Sequence, residues 1–192
     1  MTHLTGRPRA FFPAAPSLDA ASRLASILQT ETIFGTQPYG VRSPIVCFTE
    51  STRQGLDHLV RDLGYEPWGL MFTKDYAWGQ GAAPALYVRS DDFSALDTTP
   101  QEFRARAIRL EPGDSEWLHE REWRCPCEEF TFERKDVVAL LVGSRQWAPA
   151  VPDMVFNGHT FEWDVEALPA PWAIDFPMWV WDQSEGCFYE SG

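Results

Sequence analysis

The sequence predicts a single α+β domain, with helices mostly in the first half and strands concentrated in the second. Three observations point there. A chain of 192 residues is long enough for one well-buried core and short for two. Two early stretches, 17–28 and 52–63, carry apolar residues at helical spacing. The later apolar residues alternate, or run in short blocks between turn signals, as strands do. No repeat, low-complexity tract or linker divides residues 1–192, so one domain is expected throughout.

Residues 1–5, M-T-H-L-T, open as a short strand, and 6–16, with three prolines, read as a loop. Ser17 can cap a first helix whose apolar face is Leu18, Ala21, Leu24, Ala25 and Leu28. Residues 35–44 are turn-rich, and 45–48 form a buried-strand candidate. Ser51 or Thr52 caps a second helix, striped by Leu56, Leu59, Val60 and Leu63 and ended by Gly64. A turn at 65–67 leads to a strand at 69–73, a short helix or loop at 75–81, and a strand at 85–89. Residues 103–110 read as helix. Residues 122–125 are extended, Phe130 and Phe132 alternate as in a strand, and 137–142 is a six-residue apolar run fit for a central strand. Asn157-Gly158, inside 155–163, is a strong hairpin signal, and 179–181 with 187–189 form one more hairpin. A hairpin-rich extension is therefore expected from about residue 150.

Hydrophobic residues make up 44% of the chain and charged residues 23%, ordinary globular values. Aromatics reach 14%, with nine tryptophans, so the core should be aromatic-rich and some rings can line a pocket for a flat ligand. Sixteen basic against 28 acidic residues give a formal charge of −12, which argues against tight, charge-driven binding of duplex nucleic acid. C-P-C at 125–127 is too tight for a usual zinc knuckle, and no C-x-x-C appears. Cys47, Cys125, Cys127 and Cys187 are thus expected as free thiols in a reducing compartment. The N-terminus lacks a signal-peptide pattern, and no run approaches the roughly 18 apolar residues of a membrane helix, so a cytoplasmic protein is expected.

The stretch with most chemistry is 117–126, W-L-H-E-R-E-W-R-C-P. If it is extended, Glu120, Glu122 and Arg124 share one face, and Arg121, Trp123 and Cys125 the other. Trp123 can then anchor the strand while Glu122 and Arg124 look into a cleft. A solvated edge strand, with Glu and Arg paired across neighbours, accounts for the same residues. Elsewhere G-Q-G at 79–81 lacks the rest of a phosphate-binding pattern, and no serine sits in a G-x-S-x-G elbow. His3, His58, His119 and His159 have no metal spacing among themselves, so no metal site is expected.

V-C-F-T-E-S-T at 46–52, G-Y-E-P-W-G-L-M-F at 64–72, and E-R-E-W-R-C-P at 120–126 followed by D-V-V-A-L-L-V at 136–142 resemble the AbiGi-type family of bacterial abortive phage resistance. That pattern is in turn distantly similar to the ADP-ribosyltransferase fold near the DarT-like toxins. The likeness spans the chain to about residue 142. It implies an ADP-ribosyltransferase-like split β-sheet core with a few flanking helices. It also implies NAD as cofactor, a nucleic acid or protein as target, and a toxin or antitoxin as partner. By the same resemblance His3, with Thr5 beside it, meets the adenosine ribose, and Glu122 the nicotinamide ribose. Tyr65, with Tyr76 as the alternative, stacks on nicotinamide, and Arg42 meets the pyrophosphate. Physical chemistry suits these roles: a fixed carboxylate stabilises positive charge developing on a sugar carbon, and arginine forms bidentate phosphate contacts. From another class, an acidic, Trp-rich immunity or antitoxin protein would neutralise a basic toxin through its charge without catalysis.

Overall fold

The structure, a computed structural model, describes residues 1–6, 19–37, 41, 43–113, 118–144, 147, 150–151, 166–167 and 176–191. In chain order the strands are β1 (Thr2–Gly6), β2 (Thr32–Phe34), β3 (Val46–Thr49), β4 (Glu66–Phe72), β5 (Ala83–Pro84), β6 (Leu86–Arg89), β7 (Ala107–Leu110), β8 (Glu122–Cys125), β9 (Glu129–Thr131), β10 (Val137–Val142), β11 (Ala150–Val151), β12 (Glu166–Ala167), β13 (Met178–Asp182) and β14 (Cys187–Ser191). The helices are α1 (Ala20–Thr30), α2 (Arg53–Arg61), α3 (Lys74–Gly79), α4 (Ser90–Phe93) and α5 (Gln101–Ala105). Eight strands form one sheet in the order β14-β13-β10-β4-β1-β3-β8-β5, and β2-β9, β6-β7 and β11-β12 make small separate pairs. Within the large sheet only β10 and β13 run parallel. The fold is thus a mixed α/β one built on a large, mostly antiparallel sheet.

Alternation along the central strands divides the interior in two. β4 sends Leu70 and Phe72 into the cluster that holds Leu24, Ala25 and Leu28 of α1, and Met71 into the one that holds Leu56, Leu59 and Val60 of α2. β10 does the same, with Leu140 and Val142 on the α1 side and Leu141 on the α2 side. The run at 137–142 is covered on both faces from Ala139 to Val142, which suits its unbroken apolar character, while Val138 near its start is exposed. The aromatic content lies largely on the α1 side, where Phe48, Phe72 and Phe130 meet at centroid distances of 5.0–6.0 Å.

Local chemistry sets the helix ends. Asp19 caps α1 by accepting from the Ser22 backbone N–H at 2.7 Å, and Thr52 caps α2 by accepting from Gly55. His58 and Arg61 fall in the last turn of α2, where cations suit the negative end of the dipole. Buried Asp57 of α2 accepts the Phe188 backbone N–H at 2.8 Å and so ties the helix to β14.

The feature that positions the site is a seam in the sheet. β1 and β3 share one register pair, Thr2 with Thr49, and the ladder is not continued beyond it. On its other side β1 lies tight against β4: a Cβ on Gly69 would run into the His3 carbonyl oxygen. The β1–β4 register shifts between Leu4 and Gly6.

Three sequence expectations change. Residues 65–67 are not a free turn, since β4 begins at Glu66; Pro67 sits at the register shift, where a missing N–H costs least. Residues 103–110 are not one helix. α5 ends at Ala105, and Ala107 and Ile108 are buried in β7, paired in parallel with β6. Asp19 rather than Ser17 caps α1; Ser17 and the hairpin at 155–163 lie outside the described residues. The hairpin β13–β14 forms one end of the main sheet.

Candidate functional site

The carboxylate-bearing strand is built by its neighbours. β8 lies between β3 and β5, pairing Glu122 with Thr49 and Arg124 with Cys47. Trp123 and Cys125 enter the α1-side core, so Glu122 and Arg124 point to the opposite face. Arg124 donates from Nε to Glu122 Oε1 at 2.9 Å, and from Nη1 to the carbonyls of Ala105 at 3.1 Å and Ala107 at 2.9 Å. Both side chains are buried. The pairing that sequence reasoning weighed against a cleft is therefore present, and so is the cleft. Glu122 is oriented by Arg124 through one oxygen, while its second oxygen receives no hydrogen bond among the described residues.

Glu120 arrives differently from the alternation expected for an extended stretch. It ends a 3₁₀ turn, Leu118–Glu120, and Arg121 then takes a left-handed conformation (φ 46°) that swings the chain into β8. The turn is held from outside by Glu50, which bonds Lys74 Nζ at 2.6 Å and Trp123 Nε1 at 3.2 Å and lies 3.4 Å from Arg121. The hydrogen bond from Lys74 holds the Glu50 carboxyl below its ordinary range. Inside the turn, Glu120 accepts the Tyr65 hydroxyl on its carboxylate and the Thr49 hydroxyl on its carbonyl. Glu120, Glu122 and Arg124 all line one cavity even though only two of them stand on the strand.

That cavity, of about 500 Å³, lies at the seam between β1 and β3 and extends to both faces of the sheet. His3 and Thr5 reach it from the α1 side. His3 Nδ1 contacts the Cys47 carbonyl at 2.8 Å, across the seam. Because a carbonyl only accepts, this bond puts the ring hydrogen of neutral His3 on Nδ1. The ring also stands edge-on to Phe48 at 5.9 Å. Thr5 donates to the Ala20 carbonyl at 2.8 Å, with Trp68 O at 3.2 Å, tying β1 to α1. Tyr65, between α2 and β4, lines the other side. His3, Thr5, Tyr65 and Glu122 are thus gathered round one space, whereas Arg42 lies outside the described residues. Tyr76, the alternative to Tyr65, instead stacks on Phe72 at 5.7 Å and bonds the Thr131 carbonyl.

Two further residues, one beside the carboxylates and one in the cavity wall, carry no local signal in the sequence. Tyr87 of β6 lies within electrostatic reach of both carboxylates. Burial, followed by the charges of Glu122 and Glu120, pushes its phenol up to about 12, so it stays protonated at neutral pH. Arg23 of α1 lines the cavity, and its Nε is closed to solvent without a hydrogen-bond partner. Only alternation in L-Y-V-R hints at Tyr87, and Arg23 reads as the polar face of a helix. Among the described residues no cluster of His, Cys, Asp and Glu has the arrangement of a metal site, and no helix is long and apolar enough to cross a membrane.

Compared with family models, with curated proteins and with solved structures, the chain matches none.

Proposed function

We propose that the protein is an NAD-dependent ADP-ribosyltransferase of bacterial phage defence, acting on a nucleic acid or protein target. The observation that carries this is convergence: His3, Thr5, Tyr65 and Glu122, spread over more than a hundred positions of sequence, line one cavity at the β1–β3 seam of the large sheet. The cavity's volume, about 500 Å³, falls within the ordinary range for small-molecule sites. Its walls offer what a dinucleotide needs, with a carboxylate end, hydroxyls, an imidazole and aromatic faces. Bound NAD would supply the ADP-ribosyl group, with nicotinamide as the leaving group. Glu122 would hold a fixed negative charge beside the ribose carbon, its orientation set by Arg124. Glu120, held by Tyr65, would stand next to it, and His3 and Thr5 would bind hydroxyls on the α1 side.

The test is nicotinamide release and thermal stability of Glu122→Gln beside the unaltered protein. Gln keeps an acceptor for Arg124 but removes the charge that compensates it, so the variant should melt at a lower temperature than the unaltered protein while still folding and binding NAD. Transfer should fall by ~2.7–4 kcal/mol, or roughly two to three decades in rate. Undiminished turnover by the variant, or no rise in the unaltered protein's melting temperature with NAD, would overturn the proposal.

One observation favours a second reading. The net charge of −12 suits an immunity or antitoxin protein that captures a basic toxin. Such a protein would be indifferent to NAD and would bind its partner more weakly as salt rises.

A further inference from the structure

Two arginines among the described residues line the cavity, and they differ in kind. Arg124 is committed: three hydrogen bonds hold its guanidinium to Glu122, Ala105 and Ala107. Arg23 makes no side-chain hydrogen bond or ion pair with any described residue, and its Nε is shut off from water without a partner. A cationic N–H that has lost its hydration and gained nothing in exchange is costly to keep. Asp19, one turn earlier, attracts it electrostatically but makes no hydrogen bond to it. The Asp19 carboxylate is spent on capping α1 through the Ser22 N–H, and no ion pair with Arg23 forms.

The place of Arg23 in its helix is equally unfavourable. It lies in the first turns of α1, close to the positive end of the helix dipole, where an anion is preferred and a cation is not. A local rule is broken here with only the Asp19 charge to offset it among the described residues, and such departures gather at functional positions. An anion in the cavity would relieve both defects at once, by pairing the guanidinium and by facing the helix N-terminus. Ser26, three residues further along the same helix, lines the same wall and adds a hydroxyl. Phe34 of β2, 61% exposed, also lines the cavity and presents a bare ring beside it.

The two ends of the cavity are thus of opposite sign. The carboxylates of Glu120 and Glu122 lie on the α2 side of the sheet, and the guanidinium of Arg23, its Nε without a hydrogen bond, on the α1 side. We infer that Arg23 is the anchor for the diphosphate of the bound dinucleotide, and so fixes which way round the ligand lies: diphosphate on the α1 side, reacting ribose toward Glu122. This rests on the proposed NAD reading for the identity of the ligand, though the anion site itself stands on Arg23 alone.

The experiment measures affinities for NAD, ADP and adenosine by calorimetry, for the unaltered protein, Arg23→Gln and Arg23→Lys, with melting temperatures as the check on folding. Arg23→Gln should weaken NAD and ADP by roughly 10- to 100-fold and leave adenosine, which has no phosphate, unchanged. Arg23→Lys should recover part of the loss, since it keeps the charge but not the fork. ADP affinity should also fall with rising salt in the unaltered protein and barely in Arg23→Gln. If NAD binds and Arg23→Gln leaves it unchanged, the anchor is overturned and the NAD reading stands. If ADP binds through Arg23 while NAD does not, the anion site stands and the transferase reading falls. If neither binds the unaltered protein, both are wrong. If adenosine weakens as much as ADP, Arg23 shapes the cavity without holding phosphate, and the inference fails.

Discussion

Arg124 decides how Glu122 should be regarded. A buried ion pair is poor evidence of net stability, because desolvation offsets most of the attraction, but removing one partner strands the other. Arg124→Met is expected to cost about 3–5 kcal/mol, read as a fall in the urea midpoint. Adding Glu122→Gln to Arg124→Met should recover part of that cost, which a double-mutant cycle would measure. Tyr87 gives the pH prediction. Its folded value of about 12 lies above the ordinary 10, so its contribution to stability is complete below pH 10 and lost as pH rises through 12. Stability measured across that window should decline in the unaltered protein, and less steeply in Tyr87→Phe. Of these residues, Glu122 stood out in the sequence as a candidate because of the dense interleaving of charge and tryptophan in 117–126, and it lies on the cavity wall. Tyr87 and Arg23 did not stand out, since a single polar residue in an ordinary strand or helix gains its meaning only from what the fold sets beside it.

Among the elements, legibility followed how local the cause is. α2 was readable because its cap, its leucine stripe and its terminal glycine all lie within one segment. β7 was not, because Ala107 and Ile108 become a strand only through parallel pairing with β6, about twenty residues earlier. β2, three residues long, likewise owes its existence to β9. Two predictions belong at this scale. Asp57→Ala removes the acceptor for the Phe188 N–H and leaves it buried and unpaired, so a loss of about 1–3 kcal/mol is expected, measured by chemical denaturation. Gly69→Ala forces β4 away from the His3 carbonyl. It should cost about 1–3 kcal/mol and weaken any ligand that touches His3, an effect calorimetry would separate from simple destabilisation.

For the whole molecule, the mixing of helices with many strands was evident from patterning, while the sheet order was not. β1 sits beside β4 and β3, and β8 reaches β3 from more than seventy residues away. Such neighbours are fixed by global packing, with each strand's two faces matched to the α1-side and α2-side cores. The seam follows from that order. Its consequence concerns the strands' own main chains. Most strand edges that lack a ladder partner lie on the outside of a protein, where they invite pairing with other chains. Here the interrupted ladder runs through the middle of the sheet, flanked by neighbouring strands and sheltered from intermolecular pairing. An inner margin of this kind lets a guest be gripped partly by peptide groups, which no side-chain replacement can delete. On the proposed NAD reading, binding should therefore erode by degrees under substitution along the seam, with no single change there abolishing it.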